Sequence, residues 1–262
     1  MKHRLLCLAA SFVLLSAQVA LAQARFQQIN EVSVKPGQEL VFENYIKKLI
    51  AAADKAGAKT YWTSYTVSLG RPGGTYRVAL NFNSWADRGA WSTIPAMMVK
   101  AYGQQEAERL MKEGGSATER SVTEVWENLP GSSANQSTPP AAPGNFVRAQ
   151  IVRVNPGMAT DYEALLVKFK PAYEAAAGKP VIARSVLRVG PNSTYTFRRV
   201  QQVSKMSDFD VPAGPELLQK FFGAQWAAMS AELNKMVTFR QEFISTRRAD
   251  LSRIAPAATS SR

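Results

Sequence analysis

Val32-Ser33-Val34-Lys35-Pro36-Gly37 returns 120 positions later as Val152-Arg153-Val154-Asn155-Pro156-Gly157. Phe42-Glu43 and Tyr162-Glu163 keep the same spacing. So do Lys100-Ala101-Tyr102-Gly103-Gln104-Gln105 and Lys220-Phe221-Phe222-Gly223-Ala224-Gln225. Gly70-Arg71-Pro72-Gly73-Gly74-Thr75-Tyr76 matches Gly190-Pro191-Asn192-Ser193-Thr194-Tyr195 with one residue deleted. Correspondences in one unbroken order are the signature of duplication. They divide the chain into a first copy at 25–129 and a second at 146–254. Between them, 130–145 is a Pro/Ser/Gly-rich run without apolar periodicity, which reads as a linker. The stretch 255–262 reads as a disordered tail.

Each copy has the same succession of periods. A strand (Phe26 to Val34; Phe146 to Val154) turns at Pro-Gly into a helix. That helix places Leu40, Tyr45, Leu49 and Ile50 on one face in the first copy, and Tyr162, Leu165, Leu166 and Phe169 in the second. Two strands joined by a hairpin follow, at Thr60 to Leu69 and Thr75 to Phe82, then at Val181 to Val189 and Thr194 to Val203. Helical sequence runs from Met97 to Lys112 and from Pro215 to Met236. A last strand closes each copy, Val122 to Trp126 and Thr238 to Ser245.

The first 24 residues read as a secretory signal. Lys2, His3 and Arg4 form a basic start, Leu5 to Leu15 an apolar run, and Ala20-Leu21-Ala22 and Ala22-Gln23-Ala24 are cleavage signals. The protein is therefore expected to be exported, periplasmic or secreted. The single Cys (Cys7) and the single His (His3) both lie in that leader. A processed chain has no thiol and no imidazole, which excludes a disulfide framework, a cysteine nucleophile, a Ser-His-Asp triad and His-ligated zinc or haem. No metal site and no cofactor are expected. The net charge of +12 loses Lys2 and Arg4 with the leader and stays strongly basic, which suits anionic partners. The basic residues are scattered without a stripe or a nucleic-acid motif, so no nucleic acid is expected as a partner. No segment beyond the leader is apolar enough to cross a membrane.

The β-α-β-β-α-β order, the Val34-Lys35-Pro36-Gly37 and Val154-Asn155-Pro156-Gly157 turns and the aromatic hairpin ending Phe82-Asn83-Ser84-Trp85 resemble the dimeric α+β barrel superfamily in its fused, tandem form. The resemblance implies an α+β chain. Two ferredoxin-like repeats would pack sheet to sheet as a pseudo-dimeric barrel, giving a monomer in solution. It also implies a wide choice of function, since the superfamily includes cofactor-less monooxygenases, haem-binding proteins, isomerase-like enzymes and ligand sensors.

Alternation assigns faces to the strands. Tyr76, Val78, Leu80 and Phe82 go to the helices, leaving Arg77, Ala79, Asn81 and Asn83 to the lumen. The repeat offset then sends Trp62 and Ile182, Arg184, Val186 and Arg188 inward, and matches Gln28 and Asn30 with Arg148 and Gln150. The candidate ligand-binding set in the barrel is Trp62, Arg77, Asn81, Arg148, Arg184 and Arg198. Buried guanidiniums favour a carboxylate or phosphate partner. The reading is an exported protein that binds a small anionic or aromatic ligand in its barrel. A cofactor-independent monooxygenase- or isomerase-like enzyme and a structural or partner-binding envelope protein are the alternatives. No catalytic base is identified.

Overall fold

The computed structural model describes residues 24–136, 144–191 and 193–255. The expected leader and tail fall outside these but for Ala24 and Ala255. The first half runs β1 (Phe26–Val34), α1 (Glu39–Ala56), β2 (Trp62–Leu69), β3 (Thr75–Phe82), α2 (Trp85–Gly89), α3 (Ile94–Tyr102), α4 (Gln104–Ala117) and β4 (Thr118–Asn128). The second runs β5 (Phe146–Val154), α5 (Ala159–Ala175), β6 (Ile182–Val189), β7 (Thr196–Val203), α6 (Pro215–Phe222), α7 (Gln225–Met236) and β8 (Val237–Arg253). All eight strands pair antiparallel into one closed barrel, in the order β1-β3-β2-β8-β5-β7-β6-β4. Each half thus supplies four adjacent strands, and the seams are β2–β8 and β4–β6.

The helices form because one stripe of each is apolar. Phe42, Ile46, Leu49 and Ala53 recur at helical spacing along α1 and are buried, and the helix stops where Gly57 takes a left-handed φ of 68°. The helical sequence expected around Met97 to Lys112 forms two helices, α3 and α4, broken at Gly103 with φ 80°. The run from Pro215 to Met236 breaks in the same way at Gly223, φ 55°. β8 extends well past the expected Ser245, because its first part pairs with β5 and its last part crosses the seam to β2. The first residues of the expected linker are packed against β6. Ala134 bridges Ile182, and the Arg184 amide donates to Ser133 Oγ at 3.0 Å.

Apolar residues fill three layers. Leu49, Leu80, Met98 and Leu110 pack between the first half's sheet and helices. Leu165, Phe169, Ile182 and Phe197 do so in the second half. Inside the barrel, Ile29, Trp126 and Leu187 meet one cluster, and Val67, Ala149, Val200 and Phe243 another.

The register corrects the assigned faces of β2 and β6, and the inward placement of Arg148 on β5. Thr63 lies opposite Ala79 and Tyr65 opposite Arg77, so odd positions of β2 share the lumen and Trp62 points to the helices. The same parity sends Ile182, Arg184 and Val186 to the helix side of β6. A slip of one residue exchanges every side chain between faces, which is how one wrong strand misplaced both. The hairpin alignment also shifts. Val32 faces Tyr76, whereas Val152 faces Phe197, so the β6–β7 connection is one residue longer than that of β2–β3, not shorter. Ser193–Tyr195 form a short 3-10 turn there. Arg198 consequently takes the place in β7 that Arg77 takes in β3.

Candidate ligand cavities

The six residues singled out in the sequence divide among three places. Arg77 and Arg198 face each other's half within the lumen. Arg77 lies over the Phe243 ring at 4.5 Å and 3.4 Å from Glu31 Oε2. Arg198 lies over Trp126 at 4.7 Å, and its Nε donates to Ser185 Oγ at 3.1 Å. Burial pushes Arg77 below its ordinary pKa. Burial, and after it the charge of Arg77, bring Arg198 down to about 9. Asn81 is on the lumen face but at its exposed end, where its Oδ1 accepts from Gln27 Nε2 at 3.0 Å. The cavity beside these arginines measures about 50 Å³, room for a few waters. The lumen expected to hold a ligand is packed with side chains.

Trp62 belongs to the second place, a cavity of about 620 Å³ between the first half's sheet and α1, α3 and α4. Its indole N–H donates to the Leu251 carbonyl at 3.0 Å, which fixes the ring against Leu49 and Leu80. Tyr45, Trp91, Met97 and Met111 complete the apolar wall. Burial pushes the Tyr45 hydroxyl above its ordinary pKa. Its ring fits only because position 114 is glycine, since a Cβ there would sit 2.4 Å from Tyr45 Cγ. One side is polar. Asn30 Oδ1 accepts from Gln28 Nε2 and from Thr123 Oγ1, both at 3.0 Å, and Arg88 Nε donates to Gln28 Oε1 at 2.7 Å. With its carbonyl oxygen engaged, the Asn30 amide presents its N–H donors. No Asp, Glu or His is among the described residues lining this cavity.

Arg184 and Arg148 lie on the helix side of the second half, correcting their expected lumenal position. Arg184 lines a cavity of about 270 Å³ under α5, α6 and α7. Arg148 lies over the Phe209 ring at 4.6 Å and 3.4 Å from Glu242 Oε1. Sequence reasoning missed Arg199 and Arg240 in the 270 Å³ cavity. The signal was available in Arg198-Arg199, but only one of two adjacent residues can face the lumen, and the choice depends on hairpin length.

No protein-family model matches the chain, and no curated protein matches it in sequence. Solved structures do match its fold. A candidate monooxygenase from Fusobacterium nucleatum superposes with a TM-score of 0.54 at 8% identity, over 86% of this chain and 93% of its own. A candidate monooxygenase from Lactobacillus acidophilus gives 0.51 at 11% identity, over 86% and 94%. A candidate chlorite dismutase gives 0.50 at 6% identity, over 86% and 95%. These proteins are members of the dimeric α+β barrel superfamily, and the chain shares their α+β barrel fold.

Proposed function

We propose that the chain is an exported protein that binds one small, mainly apolar aromatic molecule in the cavity between the first half's sheet and its helices. The carrying observation is that cavity: about 620 Å³, walled by Trp62, Trp91, Tyr45 and two methionines, with Asn30 and Arg88 on one side. The volume falls within the range of small-molecule sites, and a few placed polar groups on an apolar wall are what orient such ligands. Asn30 and Arg88 favour a ligand with a carbonyl or hydroxyl oxygen at one end. The two halves are read as one duplicated ferredoxin-like unit packed as an internal pseudo-dimer, so the protein works as a monomer. The matched breaks at Gly103 and Gly223 support this.

The test is quenching of tryptophan fluorescence in the purified protein by 1-naphthol and 1,4-dihydroxynaphthalene. Saturable quenching is expected, and Val78→Trp, which fills the cavity from β3, should abolish it. Quenching that survives Val78→Trp, or no quenching, removes the reading. Enzyme-dependent oxygen uptake with 1,4-dihydroxynaphthalene would replace the binding role by the oxygenase alternative that the neighbours' names raise. Export is checked by intact mass from the periplasm, which should correspond to a chain beginning at Arg25.

A further inference from the structure

The second half's sheet carries, on its helix side, a charge arrangement that the first half lacks. Arg184 of β6 and Arg199 of β7 are direct cross-strand partners. Like charges placed opposite each other in a sheet repel. The corresponding pair in the first half is Ser64 and Val78, which are uncharged. Arg184 is 4% exposed, and neither its Nε nor that of Arg199 has a hydrogen-bond partner among the described residues. Their remaining contacts are to neutral groups. Arg184 Nη2 donates to Tyr173 Oη at 3.3 Å, and Arg199 Nη2 donates to the Ala213 carbonyl. Burial foremost, and Arg184 among the other causes, holds Arg199 below its ordinary pKa.

Both guanidiniums line the 270 Å³ cavity, and Arg240 lines it too, exposed and held by Asn234 Oδ1 at 3.3 Å. No carboxylate is among its described lining residues. The acid that acts on Arg199 is Glu242, which is exposed and paired with Arg148. The rest of the wall is uncharged and largely apolar, with Gln150, Ser230 and Asn234 as its polar members and Phe169 and Trp226 in ring contact at 5.9 Å. A buried and a half-buried cation, each with an unmet donor, beside an aromatic wall are complementary to an anion attached to a ring.

We infer that this cavity is a binding site for a small aromatic carboxylate. Its carboxylate bridges Arg184 and Arg199, and its ring lies against Phe169 and Trp226. The site is separate from the first-half cavity and does not depend on that reading. The volume limits the guest to about one substituted ring.

Calorimetric titration of the whole protein with phenylacetate, and with the neutral phenylacetamide, tests it. Phenylacetate should bind saturably and phenylacetamide at least about tenfold more weakly, because an uncharged amide leaves the arginines without their counter-ion. Arg184→Gln and Arg199→Gln should each weaken phenylacetate by about tenfold or more. Arg240→Gln, at the exposed mouth, should weaken it a few-fold. Should either the Arg184 or the Arg199 variant fail to fold, the comparison of the two ligands on the native protein and the Arg240→Gln variant still decide. Equal affinity for acid and amide, native affinity in every folded arginine variant, or no saturable binding of phenylacetate would each overturn the assignment.

Discussion

Glu43 is held by two different halves of the chain. Its Oε1 accepts from the Tyr76 hydroxyl at 2.8 Å, and its Oε2 from Arg248 Nη2 at 2.8 Å. The Arg248 hydrogen bond, offset in part by burial, keeps this carboxyl below its ordinary value of 4.5. A carboxyl whose pKa is lower folded than unfolded stabilises the fold above its ordinary value, and that contribution fades as pH falls through the folded value. Glu43→Gln keeps an acceptor for Tyr76 but discards the charge. It should lower stability at neutral pH by roughly 2 kcal/mol. It should also flatten the acid side of the stability profile, since one titrating group is gone. Thermal melts from neutral pH to about pH 3 read both effects; parallel profiles for the variant and the native protein would mean that the pair does not couple to folding. Some slope should persist, because Asp250 is also held down by its hydrogen bond to Arg248.

Among the elements, Gly70 shows how closely the β2–β3 turn approaches β8. Its φ is +85°, and a Cβ built on it would meet the Glu242 carbonyl oxygen at 2.4 Å and Phe243 Cα at 3.0 Å. Both obstacles are backbone in the seam, so they move only if the strands separate. Gly37 also has a positive φ, +77°, but open space around it. Gly37→Ala should therefore cost about 1 kcal/mol, the conformational penalty alone, and Gly70→Ala roughly 3 kcal/mol or more. Urea titrations compare them, and equal costs would contradict the contact. Strands were the legible part of this molecule. Alternation placed β1, β3 and β5 at their observed ends and put Arg77 inward and Leu80 outward. What did not show was which face of β2 is which. Trp62 and Ser64 alternate with Thr63 and Tyr65, and each set is plausible on either side until the register with β3 is known. The same held for Arg184. The helix breaks at Gly103 and Gly223 were hidden because apolar spacing continues across both glycines. The end of β8 was hidden because Thr246-Arg247-Arg248-Ala249-Asp250 is polar and is held by partners in the other half.

At the scale of the molecule, a fold read as two copies closes into a single sheet whose seams tie the halves together. Across the β2–β8 seam, Arg248 reaches Glu43, Arg253 Nε reaches Asp54 at 2.7 Å, and the Leu251 carbonyl accepts from both Trp62 and Ser64. Across the β4–β6 seam, Arg188 Nε pairs with Glu127 at 2.7 Å. Neither half can unfold without opening two strand edges of the other, so the described residues should unfold as one unit. Two core truncations test this. Leu110 is buried among the first half's helices and Leu165 among those of the second. Each change to Ala should cost about 2–5 kcal/mol, and the costs should add, as the two leucines share no cluster. Fluorescence gives the sharper reading, because Trp62, Trp85, Trp91 and Trp126 all lie in the first half and only Trp226 in the second. With Leu165→Ala, one cooperative barrel requires the fluorescence midpoint in urea to fall as far as the midpoint from circular dichroism. Independently folding halves would leave the fluorescence midpoint near its native value while circular dichroism split into two steps.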